Sequence, residues 1–292
     1  MVEYPENVLK KLEQIANKGS TSLEDIKKKY EEFFNDDFIQ QDEQFADDAD
    51  RHQYCIQVFW NKYILRPPVS PKTIIPIGLT DANKSKKGNL TADMYVIDGA
   101  DGKLKRIVLR GDSANLVKKV VLFHKYENVE LGSFRDSTDL IADDRANFDK
   151  PIKIEAKPEQ IIEKLGFQKC TIAEAGNNLS KVGSDGYVDK TDWKIIRGVI
   201  ASEKQCGPDA DWKWGIYTVT DNTVKDDEPE VTPDGRVIPP GFTIWSTPLM
   251  MTNPVDSQCD FIGTITKDQK DGRISMRAGC ILLIHAPPPE GE

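Results

Sequence analysis

The sequence predicts a mainly β chain, with an α-helical N-terminal element followed by two small five-stranded barrels in tandem. Residues 92–132 and 193–284 repeat one grammar of strand, turn, strand, connector and strand, with glycines at the bends. Before the first of these, apolar residues recur at helical spacing of three and four. The length of 292 residues is long for one compact domain and comfortable for two plus an appendage.

Four segments follow: a helical N-terminal element over 1–66, a barrel over 67–150, a connector over 151–187, and a second barrel over 188–292. In the first, Val8, Leu9, Leu12, Ile15 and Ala16 share a helix face that Gly19 ends. Ser22 caps a second helix carrying Leu23, Ile26, Tyr30 and Phe33. A third holds Phe45, Ala49, His52, Ile56, Phe59, Trp60 and Tyr63 before the proline-rich Arg66–Pro71 breaks it. Phe59, Trp60 and Tyr63 read as packing rather than as a ligand platform.

The first barrel opens with a strand over 73–79 and a lysine-bearing loop over 80–89. A hairpin follows, 92–98 into 103–110, turned by Gly99-Ala-Asp-Gly102, where glycine and aspartate tolerate positive φ. Leu116–Val121 suits either a short helix or a strand edge, and 121–131 supplies further strand. In the connector, Pro158–Gly166 reads as a short helix ended by its glycine. Second-barrel strands fall at 193–201, 214–221, 242–247, 259–266 and 274–284. The stretch 221–240 has no hydrophobic period and reads as a mobile loop, and Pro287–Glu292 as a solvated tail. Five short strands of this kind suit an OB-like barrel, in which the face of strands 2 and 3 forms a groove.

Charge is uneven along the chain, whose net value is -9. Ten basic residues against four acids leave 84–125 at +6, whereas fourteen acids against six lysines leave the first fifty residues at -8. That polarity favours an anionic ligand on the barrel and a protein partner on the helices. Cys55, Cys170, Cys206, Cys259 and Cys280 have no zinc-site spacing and read as free thiols. No metal and no cofactor is predicted. The N-terminus lacks the regions of a secretory signal and no apolar run has the length of a membrane span, so a cytoplasmic chain without membrane contact is expected.

A sequence-tolerant binder of unpaired strands needs cations for phosphates and aromatic rings beneath the bases. In the first barrel the candidates are Tyr95 and Phe123 for stacking, with Lys84, Lys86, Lys87, Arg106 and Arg110 for phosphates. In the second they are Trp212, Trp214, Tyr217 and Trp245, with Arg197, Lys213, Arg273 and Arg277 as cations. Strand alternation sets Trp214 and Ile216 on one face and Tyr217 and Val219 on the other, so Trp214 and Tyr217 do not share a groove.

Three features resemble the archaeal replication protein A family of single-stranded-DNA-binding proteins. They are the helix Ser22-Leu-Glu-Asp-Ile-Lys-Lys-Lys-Tyr-Glu-Glu32, the hairpin Val96–Leu109 and the closing Tyr126-Glu-Asn-Val-Glu-Leu131. The resemblance implies tandem OB-folds that hold single-stranded DNA in replication, repair and recombination without catalysis. Replication or repair proteins would then meet the acidic helical N-terminus.

Two other readings compete. Asp136, Asp139, Asp143 and Asp144 cluster within nine residues, as in a magnesium-dependent nuclease, although aspartates also cap turns. The barrels also suit a non-catalytic interaction scaffold in a larger assembly. No phosphate loop, dinucleotide fingerprint, metalloprotease helix or nucleophile elbow occurs in the chain.

Overall fold

The computed structural model describes residues 4–19, 22–40, 45–63, 69–84, 90–133, 139–143, 145–183, 186–207, 210, 212–224, 230–231, 237–238, 240–269 and 271–287. The chain divides into two compact units, 1–68 and 69–292.

The N-terminal unit is built on amphipathic helices: α1 (Glu6–Gly19), α2 (Leu23–Phe34), a single turn α3 (Asp37–Gln40) and α4 (Asp48–Tyr63). The Ser22 side chain accepts the Asp25 amide at 3.1 Å, satisfying one of the donors that a helix start leaves open. Val8, Leu12 and Ile15 of α1 share one core with Ile26 and Tyr30 of α2 and with Ile56 and Phe59 of α4. At its centre the Tyr30 hydroxyl meets His52 Nδ1 at 2.9 Å, and the His52 ring stacks on Phe34 with centroids 4.1 Å apart. Burial leaves the His52 imidazole harder to protonate than usual.

The second unit holds two barrels of one topology. In barrel 1 the strands are β1 (Val69–Leu79), β2 (Leu90–Asp98), β3 (Leu104–Arg110), β4 (His124–Ser133) and β5 (Leu140–Ala142). Barrel 2 has β6 (Lys194–Gln205), β7 (Gly215–Thr220), β8 (Phe242–Ser246), β9 (Gln258–Lys267) and β10 (Ile274–His285). Barrel 1 closes in the order β1-β2-β3-β5-β4-β1, with β3 parallel to β5 and its other neighbours antiparallel. Barrel 2 repeats this as β6-β7-β8-β10-β9-β6, with β8 parallel to β10. A 3-10 helix follows the third strand in each, at Gly111–Lys119 and Pro248–Met250. The first of these settles the two readings of Leu116–Val121 in favour of a helix as far as Lys119. Closure with this order, and one parallel pair, is the Greek-key OB-fold, here in two copies.

Period-2 alternation positions the side chains. Ala92, Met94 and Val96 of β2 point into barrel 1, which leaves Thr91, Asp93 and Tyr95 on its outside. Tyr217 and Val219 of β7 point into barrel 2, leaving Trp214 and Ile216 outside. The connector is ordered over its described length: Gln168–Cys170 extends the second sheet in parallel beside β6, and α5 (Pro158–Lys164) buries Ile161 and Ile162.

Those two isoleucines belong to a separate core that welds the barrels together. It contains Ile77 and Tyr95 from barrel 1, with Trp193, Ile195, Ile262, Cys280 and Leu282 from the barrel-2 region. Close approach at this seam depends on two glycines. A Cβ at Gly78 of β1 would lie 2.2 Å from the carbonyl oxygen of Gly279 in β10, and a Cβ at Gly279 would lie 2.7 Å from the Trp193 ring. Polar bonds lock the edge of the seam: Asn83 Oδ1 accepts the Lys213 amide, and Asp81 Oδ2 accepts the Leu249 amide at 2.9 Å.

Gly78→Ala is expected to destabilise the protein by about 1–3 kcal/mol, because neither backbone can yield without separating the barrels. Gly207→Ala, with open space around its added methyl, should stay within about 0.5 kcal/mol. Denaturant midpoints of the two variants and the parent check both values.

Candidate nucleic-acid interface

A cleft of about 560 Å³ opens beside the welded seam, between the outer faces of β2 and of barrel 2. One wall is a register row crossing four strands: Ile216 of β7 pairs with Trp245 of β8, Trp245 with Arg277 of β10, and Arg277 with Thr264 of β9. All four residues line the cleft. Trp214 joins this wall with its ring 6.5 Å from that of Trp245, and Trp212 stands at the mouth. Trp245 and Trp212 keep 41% and 57% of their surface exposed, which is costly for large apolar rings unless a ligand covers them. The facing wall is Asp93 and Tyr95, with Thr80, Thr91 and Asn83 along the rim.

The charges in the cleft are out of balance. Arg106 is spent on ion pairs, one to Asp139 and one to Asp93 with nitrogen and oxygen 3.6 Å apart. Lys190 and Arg277 form no ion pair with a described residue, and both line the cleft. Burial lowers the Lys190 pKa, and the Arg277 and Arg106 charges lower it further, only partly opposed by Asp93. Burial likewise raises the Asp93 pKa, while Arg106 and Lys190 pull it down. Lys190 is held in place by its neighbour, since its carbonyl accepts the Trp193 indole N–H at 2.8 Å. The cleft therefore offers aromatic faces beside a cationic pair that Asp93 offsets only in part.

The sequence-selected residues divide sharply in placement. Trp212, Lys213, Trp214, Trp245 and Arg277 come together in the cleft. Tyr95 also reaches it, but the ring is nearly buried and packs on Trp193 with centroids 4.7 Å apart. Tyr217 lies wholly inside barrel 2, donating its hydroxyl to the Asn253 carbonyl at 2.8 Å. Phe123 is half-buried against the seam core with a φ of 57°. Arg197 forms a bidentate pair with Asp260 at 2.7 and 2.8 Å. Lys84, Arg110 and Arg273 are exposed on strand ends and turns away from the cleft lining, with Arg273 Nε 3.7 Å from Asp271. Lys86 and Lys87 lie outside the described residues, as do the Arg66–Pro68 part of the proposed boundary, most of the 221–240 loop and the end of the tail.

Lys190, Trp193 and Asp93 were not among the sequence candidates. Lys190 sits in a turn before β6 and becomes part of a site only through the fold, so no local spacing marks it. The described members of the aspartate cluster are engaged in ion pairs. Asp139 pairs with Arg106 and Asp143 with Arg145 at 2.6 Å, while Asp136 and Asp144 lie outside the described residues. Among the described residues no group of three or more His, Cys, Asp or Glu side chains could hold a metal ion. The five cysteines are unpaired thiols, and burial pushes the Cys259 thiol up to about 11. No described helix is long and apolar enough to cross a membrane.

No family model matches the chain, and neither does any curated protein. Among solved structures, the chain is similar to a murine DNA-binding protein bound to double-stranded DNA, at 8% identity and TM-score 0.33, covering 76% of this chain and 99% of that one. It is also similar to the first HIN domain of p202 in complex with a 12-mer of double-stranded DNA, at 13% identity and TM-score 0.35, covering 76% and 98%. A third is the HINb domain of p204, at 11% identity and TM-score 0.34, covering 74% and 98%. These findings correct the resemblance to archaeal replication protein A and, with it, the single-strand-specific reading and its replication setting: the DNA held in the first two is double-stranded. The fold supplies a physical reason for the correction. A strand binder needs stacking platforms continuing along a groove, but the barrel-1 platform is buried in the seam at Tyr95 and its cation Arg106 is neutralised.

Because the folded chain holds the Lys190 proton less tightly than the unfolded chain does, the charge penalises folding at neutral pH. Lys190→Met should therefore be more stable than the parent at pH 7. The difference should shrink as pH rises toward the ordinary lysine pKa of about 10.4. Paired thermal melts across that range check the sign.

Proposed function

We propose that the tandem-barrel unit is a non-catalytic DNA-binding module that takes duplex DNA at the barrel-2 face beside the seam. The observation that carries this reading is the unpaired Lys190–Arg277 couple set against exposed Trp245 and Trp212 in one cleft. Phosphates are the ligand groups that relieve such a couple, and a duplex presents them at regular spacing on a surface that side chains reach without threading a strand. The weld between barrels adds pre-organisation: Gly78, Gly279 and the Asn83–Lys213 bond fix the two cleft walls before any ligand arrives, so little ordering cost falls on binding. The acidic N-terminal unit stands in the same reading as a contact for protein partners rather than for DNA.

Fluorescence anisotropy of a labelled duplex at about 50 and 200 mM salt tests the reading. Salt-sensitive binding is expected. Lys190→Met with Arg277→Gln should lower the slope of log affinity against log salt by about 2, one for each phosphate contact removed. Failure to bind any DNA would overturn the reading in favour of the interaction scaffold, and an unchanged slope in the double variant would remove the cleft from the contact surface.

A further inference from the structure

The cleft differs from a surface that only contacts a backbone. Its volume of about 560 Å³ falls within the roughly 300–1,000 Å³ of small-molecule sites, and both barrels supply its lining. Resting on the DNA-binding reading above, we infer that it receives one nucleotide unit, a planar base against Trp245 and Trp214 with its phosphate between Lys190 and Arg277.

The register row makes the two halves of such a ligand adjacent. Trp245 and Arg277 are direct partners across the parallel β8–β10 pair, so the side chains lie side by side on one outer face. A base covering the exposed Trp245 ring thus brings its own phosphate to the Arg277 guanidinium. Lys190 lines the same cleft, on the turn whose carbonyl is tied to Trp193, and its charge acts on that of Arg277. Its pKa is depressed by burial and then by the Arg277 and Arg106 charges, which Asp93 opposes only in part, and a phosphate would add a further anion beside it.

The remaining lining suits a base edge. Thr80, Thr91, Asn83 and Ser246 bring hydroxyls and an amide to the rim, and Asp93 offers a carboxylate on the wall facing the tryptophans. The Asn83 side chain is already committed to the Lys213 amide and carbonyl, and the Thr80, Thr91 and Ser246 hydroxyls already donate to the Asp93, Asn83 and Ala278 carbonyls, so these groups hold the rim in place and leave the edge contact to the Asp93 carboxylate. Asp93 is an acceptor opposite the stacked position, which favours a base with an exocyclic amino donor such as adenine. Stacking on one ring contributes about 1–3 kcal/mol per base, so the site should take a single nucleotide weakly and a nucleotide attached to bound DNA more strongly.

The same nucleotide chemistry has two sources, a free nucleotide and an unpaired nucleotide at a duplex end. Titration of the full chain with dAMP, read by tryptophan emission, tests the site. Deoxyadenosine and inorganic phosphate serve as half-ligands. Saturable quenching by dAMP is expected, with each half-ligand at least about tenfold weaker. Trp245→Ala should abolish the response, and Lys190→Met should reduce dAMP to the level of deoxyadenosine. A parallel anisotropy titration compares a blunt DNA hairpin with the same hairpin carrying one unpaired 3′ adenosine. Tighter binding of the overhang assigns the site to DNA ends, and equal binding beside a positive dAMP result assigns it to free nucleotide. Absence of saturable quenching, or quenching unaltered in both variants, would overturn the inference. If the blunt hairpin still binds in a salt-sensitive way, the inference alone fails; if neither hairpin binds, the DNA-binding reading fails with it.

Discussion

Everything in the barrel unit follows from the contact of Gly78 with Gly279. Two strands from different barrels approach until only backbone fits between them, and the Trp193 ring fills the space on the flank. Absence of a Cβ at both positions is the constraint, since a methyl group on either would meet atoms that belong to rigid strands or to the wedged indole. From this contact come the third hydrophobic core, the fixed spacing of the cleft walls and the loss of the barrel-1 outer face as a binding surface. Two OB-folds joined by a free linker would each keep a groove. Welded, they share one cleft.

The seam also divides the chemistry between the barrels. Barrel 1 contributes a neutralised wall, because its Arg106 is spent on Asp93 and Asp139. Barrel 2 keeps its aromatic and cationic row uncovered. Burial of Lys190 without an ion-pair partner among the described residues is a local cost that the packing of Trp193 sustains. Arg197 makes a useful contrast. It sits on β6 with equal formal charge, yet both Asp260 oxygens satisfy it, and it has no such demand.

Fold class was legible in the sequence because OB strands announce themselves locally. The alternation of Ala92, Met94 and Val96 with Thr91, Asp93 and Tyr95 states which side of β2 faces the core, and the alternation around Tyr217 does the same for β7. The helix starts were equally local, as the Ser22 cap shows. The site was legible in part. Trp212, Trp214, Trp245 and Arg277 stood out by residue type, but nothing in the spacing of Tyr95 or Arg106 reveals that a second barrel will cover one and that Asp139 will neutralise the other. Lys190 was invisible for the converse reason: an ordinary turn lysine gains its character from burial in the fold and from Arg277, 87 positions away along the chain. Composition and strand pattern carry the fold, whereas ligand preference resides in the docking of one barrel on the other.

The central claim is that ligand binding occurs at the barrel-2 face beside the seam and leaves the seam itself intact. The five indole N–H groups report on it directly in one nuclear magnetic resonance titration with duplex DNA. Trp212, Trp214 and Trp245 line the cleft, whereas Trp193 is buried in the weld and Trp60 packs against the helical core. The account predicts that the first three signals move and that those of Trp60 and Trp193 hold their positions. Movement of Trp60 alone, or saturation of binding with the three cleft signals unmoved, would contradict it.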